Sequence, residues 1–141
     1  MVIVVILASL VVPRLHPNLD REANASAERM VLLINQAREE AVMSSRVWQV
    51  VFEPDEQSYR FLQYVGNEFI DVSLQPFAGV QQLENVSLNQ LEINGEVRAD
   101  TGEVYLFPTG EQDAFRLIVQ GEQQQFVVVM GPVGEAGVEK L

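Results

Sequence analysis

Two periodicities divide the chain. Over residues 19–44 the apolar positions Ala23, Ala27, Met30, Ile34, Ala37 and Ala41 fall at spacings of 4, 3, 4, 3 and 4. That places them on one stripe of an α-helix. Leu33 and Val42 widen the stripe, and the other side carries Arg21, Glu22, Glu28, Arg29, Arg38 and Glu39. Small residues near both ends with larger ones between predict a helix packed closely on a sheet, its core face made by Met30, Leu33, Ile34, Ala37 and Ala41. The stripe lasts under three heptads and so reads as core rather than coiled coil. Asn18 is a candidate cap, Asp20 and Glu22 stand where the helix end is positive, and Ser44 with Ser45 is a stop.

After residue 45 the period drops to two. Alternation or β-branched enrichment predicts strands over residues 47–52, 59–65, 69–74, 86–93, 103–107, 114–120 and 124–130. Turn residues separate them: Pro54 and Asp55, Gly66-Asn67, Asn94-Gly95, Pro108 to Gly110, and Gly121. Within 86–93 the alternation shifts face at Asn89 and Gln90. The turn-rich tail 131–137 leaves room for one last short strand. One long N-terminal helix followed by about seven strands, without βαβ alternation, predicts an α+β fold with an antiparallel sheet wrapped on the C-terminal half of the helix.

The first residues differ from both patterns. Residues 2–12 carry no charge and end at Pro13. As a helix they would rise about 16 Å, whereas a bilayer core is about 30 Å thick. The run lacks the basic region and small-residue cleavage site of a secretory signal. Val4, Val5, Ile6, Leu7, Leu10, Val11, Val12 and Pro13 are therefore candidate membrane and assembly positions, the second half of a longer apolar helix; a strand or helix tucked into the core is the alternative. Residues 1–18 then form part of the apolar helix, and residues 19–141 a head domain.

Charge and composition narrow the function. The 141-residue chain carries a formal charge of −11 with nine scattered basic residues, so there is no electrostatic footprint for nucleic acid. An acidic body gains nothing from an anionic lipid surface, which leaves hydrophobic contact as the route to a membrane. Cysteine is absent, which excludes disulfides, thiolate nucleophiles and Cys-based metal sites. The one histidine, His16, lies between two prolines and reads as a linker residue rather than a base. No nucleophile elbow and no phosphate-binding glycine loop is present. Glu39 and Glu40 sit on the helix, while Glu53, Asp55 and Glu56 fall at a turn, where carboxylates are usually solvated. Residues 100–103 and 111–113 come nearest to a calcium loop, but neither has the ligand spacing, and turn chemistry explains both. No catalytic, metal or cofactor site is expected.

Five segments resemble a known family. The run VVILASLVVPRL at residues 4–15 is similar to the second half of the N-terminal helix of type IV pilins and type II secretion pseudopilins. AERMVLLINQAREEA at 27–41 resembles the helix of the minor pseudopilin H group, followed as there by a strand like RVWQVVFE at 46–53 and a hairpin like YRFL at 59–62. LFPTGEQDAFRL at 106–117 matches that family's late F-P-x-G followed by F-x-L. The resemblance implies a pilin-like subunit without enzymatic activity, a minor pseudopilin of the type II secretion system. It would contribute to the pseudopilus tip and to export of folded proteins across the outer membrane. Its partners would be other minor and major pseudopilins, and the inner membrane through the apolar helix, with the head in the periplasm and docking by its exposed loops and sheet edges. The family's basic leader, cleavage glycine, methylated N-terminal phenylalanine and assembly glutamate have no counterpart here, so an N-terminally truncated sequence is expected. A minor type IV pilin or DNA-uptake pseudopilin is the alternative within this class; a membrane-tethered enzyme or ligand-binding β domain is the alternative outside it.

Overall fold

The computed structural model describes residues 19–141. The expectations placed on residues 4–13, on His16 and on the Asn18 cap lie outside the described residues. Among the described residues one α-helix, α1 (Leu19–Ser44), is followed by ten strands. These are β1 (Trp48–Glu53), β2 (Ser58–Val65), β3 (Glu68–Asp71), β4 (Gln81–Gln82), β5 (Ser87–Ile93), β6 (Glu96–Val97), β7 (Gly102–Leu106), β8 (Phe115–Gln120), β9 (Gln125–Met130) and β10 (Gly137–Lys140). All pairings are antiparallel.

The strands build two five-stranded sheets rather than one. The first has the order β3-β2-β1-β7, with β4 also on β2; the second runs β10-β9-β8-β5-β6. β4 and β6 are two residues long, too short to show a period in sequence. α1 packs on β8, β9 and β10 of the second sheet and on β1 and β7 of the first. Ala23, Ala27, Met30, Ile34, Ala37 and Ala41 are all fully buried in this contact, and Leu33 is 1 % exposed. The alanines let the backbone approach the sheets closely. The longer side chains between them fill the space, each worth roughly 1.5–3 kcal/mol when fully buried.

Val42, assigned above to the stripe, is 49 % exposed. Arg38, assigned to the solvent side, is half-buried, and its Nε donates to Gln112 Oε1. Successive helix residues turn by about 100°, so Val42 points well away from the line of Ala37 and Ala41, while Arg38 stands at its margin. The helix stops at Ser45, which takes a left-handed φ of 56°. Its N–H donates to Val42 O at 3.3 Å and that of Arg46 to Ala41 O at 3.2 Å. This is a Schellman ending with serine where glycine is usual.

Turn chemistry sets the hairpins. Gly66 and Asn67 have φ of 61° and 70°, and Asn94 and Gly95 of 51° and 83°, as two-residue connections between twisted strands require. Between Asn89 and Glu92 the pairing of β5 with β8 skips, and Gln90 turns left-handed at φ 52°. This bulge is the shift of face visible in the sequence.

Candidate functional site

The carboxylates singled out above fall at several places among the described residues. Among them, no three His, Cys, Asp or Glu side chains stand close enough together to hold a metal ion. Glu53, Asp55, Glu56 and Asp100 share a shallow depression of about 190 Å³ at one end of the head. Asp113 is committed to the backbone: its Oδ2 accepts from Tyr105 N–H at 3.0 Å and its Oδ1 from Asn94 Nδ2 at 3.0 Å. Glu39 is exposed on α1, and Glu40 is half-buried. Burial pushes the Tyr59 phenol up to about 12, against the opposing pull of Arg29.

Three polar clamps hold the head on the helix. At its start, Asp20 Oδ1 accepts from the backbone N–H of Gln123 at 2.9 Å and of Gln124 at 3.0 Å. Those hydrogen bonds hold its carboxyl below the usual carboxylate range. Asp20 thus caps the β8–β9 turn. Gly121 in that turn lies so near that an added Cβ would stand 3.0 Å from Asp20 Cα and Leu19 O. Half-way along, Asn35 exchanges two bonds with Ala136: Ala136 N–H donates to Asn35 Oδ1 at 2.8 Å, and Asn35 Nδ2 donates to Ala136 O at 3.2 Å. Near its end, Gln112 accepts from Arg38 and donates from Nε2 to Gly131 O at 2.9 Å and Gly134 O at 2.7 Å. Sequence periodicity does not register Asn35 or Gln112, because each is a polar side chain supplying what a strand backbone would otherwise supply.

The solvent side of the first sheet is unusual. Every residue of β1 from Trp48 to Phe52 is buried, although one face of this sheet looks away from α1. The rings of Tyr64 and Phe69 lie 5.1 Å apart, Phe69 and Tyr105 5.7 Å, and Tyr105 and Phe107 6.3 Å, forming a continuous row on that outer face. Val51 and Leu62 on the same face are only 7 % and 9 % exposed. At Phe107 the row meets a cleft of about 280 Å³ between the end of β7 and the last turns of α1, with Val42, Met43 and Leu106 among its walls. The sequence signal for this surface is the apolar run Val50, Val51 and Phe52 in β1, which puts Val51 on the face away from α1 and marks a strand covered on both sides.

Helix α1 packed across two antiparallel sheets is an architecture shared with type 2 secretion pseudopilins. Two structures of the minor pseudopilin EpsH from the type 2 secretion system of Vibrio cholerae share the fold. One has a TM-score of 0.72 at 20 % identity over 83 % of this chain and 94 % of that one. The other has a TM-score of 0.74 at 18 % identity over 84 % and 96 %. No curated protein sequence matches the chain. Residues 26–134 match the family model of the type II transport protein GspH. The chain belongs to the GspH family of type II transport proteins. Among the described residues no helix is long and apolar enough to cross a membrane.

Proposed function

We propose that this chain works as a non-enzymatic minor pseudopilin, a subunit of the pseudopilus tip that assists export of folded proteins across the outer membrane. In this reading residues 1–18 continue toward the inner membrane as a shaft, with Val4 to Val12 packing against other pseudopilin shafts and Pro13 bending the approach to α1. Residues 19–141 form the periplasmic head. Membership of the type II transport family carries the reading. It is supported by an uncharged N-terminal run that precedes a helix whose apolar stripe is buried by its own head.

Deleting the gene from its host and measuring type II substrates in the medium tests the proposal. Export should fall and return when the gene is restored. Unchanged export, with loss of surface pili or DNA uptake instead, would transfer the chain to a type IV system.

A further inference from the structure

The sheet edges are poor contact sites. β3 has Glu68 and Asp71 among its four residues, β10 ends in Glu139 and Lys140, and β6 is two residues long. The free side of β7 is taken up by Asp113, which exchanges bonds with Tyr105, and by the bridge from Leu106 to Gln112. Short, charged or covered edges discourage strand addition. Loops and faces remain, and one face carries features that suit a contact.

Register defines that face. Gln49 pairs with Leu62 and Tyr105, and Val51 with Arg60 and Glu103. Paired residues point to the same side of a sheet, and so do residues two apart on one strand. Tyr64, Phe69, Tyr105 and Phe107 therefore lie toward one end of the outer face, with Glu53, Arg60, Asp71 and Glu103 toward the other. Tyr64 is 41 % and Phe107 38 % exposed. Four residues along β2 separate Tyr64 from Arg60, about 14 Å. Arg60 is held by Asp71 at 3.2 Å and Glu53 at 3.9 Å. Glu103 adds an exposed carboxylate, and Asp55, Glu56 and Asp100 stand beside Glu53. The face is half aromatic and half net acidic.

We propose that this face docks a neighbouring subunit of a different kind, one whose surface offers an aliphatic side chain to the cleft beside Phe107 and lysine or arginine to the acidic half. The inference rests on the pseudopilin reading and assigns the partner side of it. Charge complementarity selects the occupant. A second copy of this chain would bring another −11 to the contact and has only nine scattered basic residues to offer. A basic partner gains attraction that speeds encounter and fixes orientation. Aromatic rings in a shallow socket are the anchors that carry most interface energy.

Residues 1–141 hold no cysteine, so each introduced thiol is unique among them. The full gene, expressed in its host, receives Tyr64→Cys, Phe107→Cys, Leu32→Cys or Val97→Cys singly. Each variant is labelled with maleimide-benzophenone and irradiated, and adducts are identified with antibodies to every other pseudopilin of the system. Leu32 and Val97 are 55 % and 73 % exposed, so mere accessibility favours them. Adducts to one sister subunit should form at Tyr64 and Phe107 at least tenfold more than at the other two positions. Glu103→Lys should reduce them several-fold without lowering the level of the subunit. Adducts only to a second copy of this chain, equal yields at all four positions, or no adduct to any sister subunit would each overturn the assignment. If export still depends on the gene in those cases, the pseudopilin reading stands and only the face is wrong.

Discussion

Replacing Ile34 by alanine tests how α1 is held. Ile34 is fully buried at the centre of the stripe, between Met30 and the small residues Ala37 and Ala41. The change deletes three carbons, about 2.4 kcal/mol of transfer free energy at roughly 0.8 kcal/mol each. A cavity term adds to this, and large-to-alanine changes of this type span about 2–5 kcal/mol. Alanine neighbours have no side chain to swing into the void, but Met30 is flexible enough to fill part of it. The expected loss is about 3 kcal/mol, or roughly 10 °C in melting temperature for a domain of this size. Leu32→Ala, on the same helix but 55 % exposed, should change stability by no more than about 0.5 kcal/mol. Trp48, the sole tryptophan and 2 % exposed, reports unfolding by fluorescence in a denaturant titration. The midpoint should move and the slope should not. A cost under about 1 kcal/mol for Ile34→Ala, or equal costs for the two variants, would refute the packing of α1 on both sheets.

Three further outcomes are expected. Gly121→Ala should destabilise by about 1–3 kcal/mol, because the new methyl meets the backbone at Leu19 and Asp20 and not only movable side chains; a neutral result in thermal melts would mean the turn is not seated there. Asp20 has a folded pKa below its unfolded value of about 3.9, so its contribution is complete above that pH and is lost as pH falls through the folded value. Between pH 5 and pH 2 the wild type should therefore lose more stability than Asp20→Asn, and parallel pH profiles from calorimetry would show the clamp to be inert. Ser45→Gly should stabilise by up to about 1 kcal/mol, since glycine takes a left-handed φ without the penalty of a Cβ; destabilisation would show that the Ser45 side chain contributes something its backbone does not explain.

The elements that carry strong periodicity were legible from sequence. The helix stripe is uninterrupted, and the Asn94-Gly95 and Gly66-Asn67 turns have side chains that tolerate the left-handed region, so local chemistry and tertiary structure agree there. The irregularity at Asn89 and Gln90 was legible for the same reason, since a bulge displaces the alternation by one residue. The division into two sheets was not, because it depends on which strands pair across long separations and local pattern carries no such information. Asp20 shows the limit most clearly. Its place in the first turn of α1 suggests a helix charge effect, yet its carboxylate serves a turn more than a hundred residues away. Register likewise decides that Tyr105 and Phe107 lie outside the core while Val104 and Leu106 lie within it.

The order of pieces along the chain has a consequence for how the head comes into being. α1 is made before any of the strands, but its apolar stripe is covered largely by β8, β9 and β10, and its first turn is tied to residues 123 and 124. The Asn35–Ala136 exchange joins positions 101 apart. A chain emerging from its N-terminus therefore presents an unsheathed amphipathic helix until the last fifth of its length arrives. Such late closure makes folding slow and leaves the nascent chain exposed to holdases and to lipid.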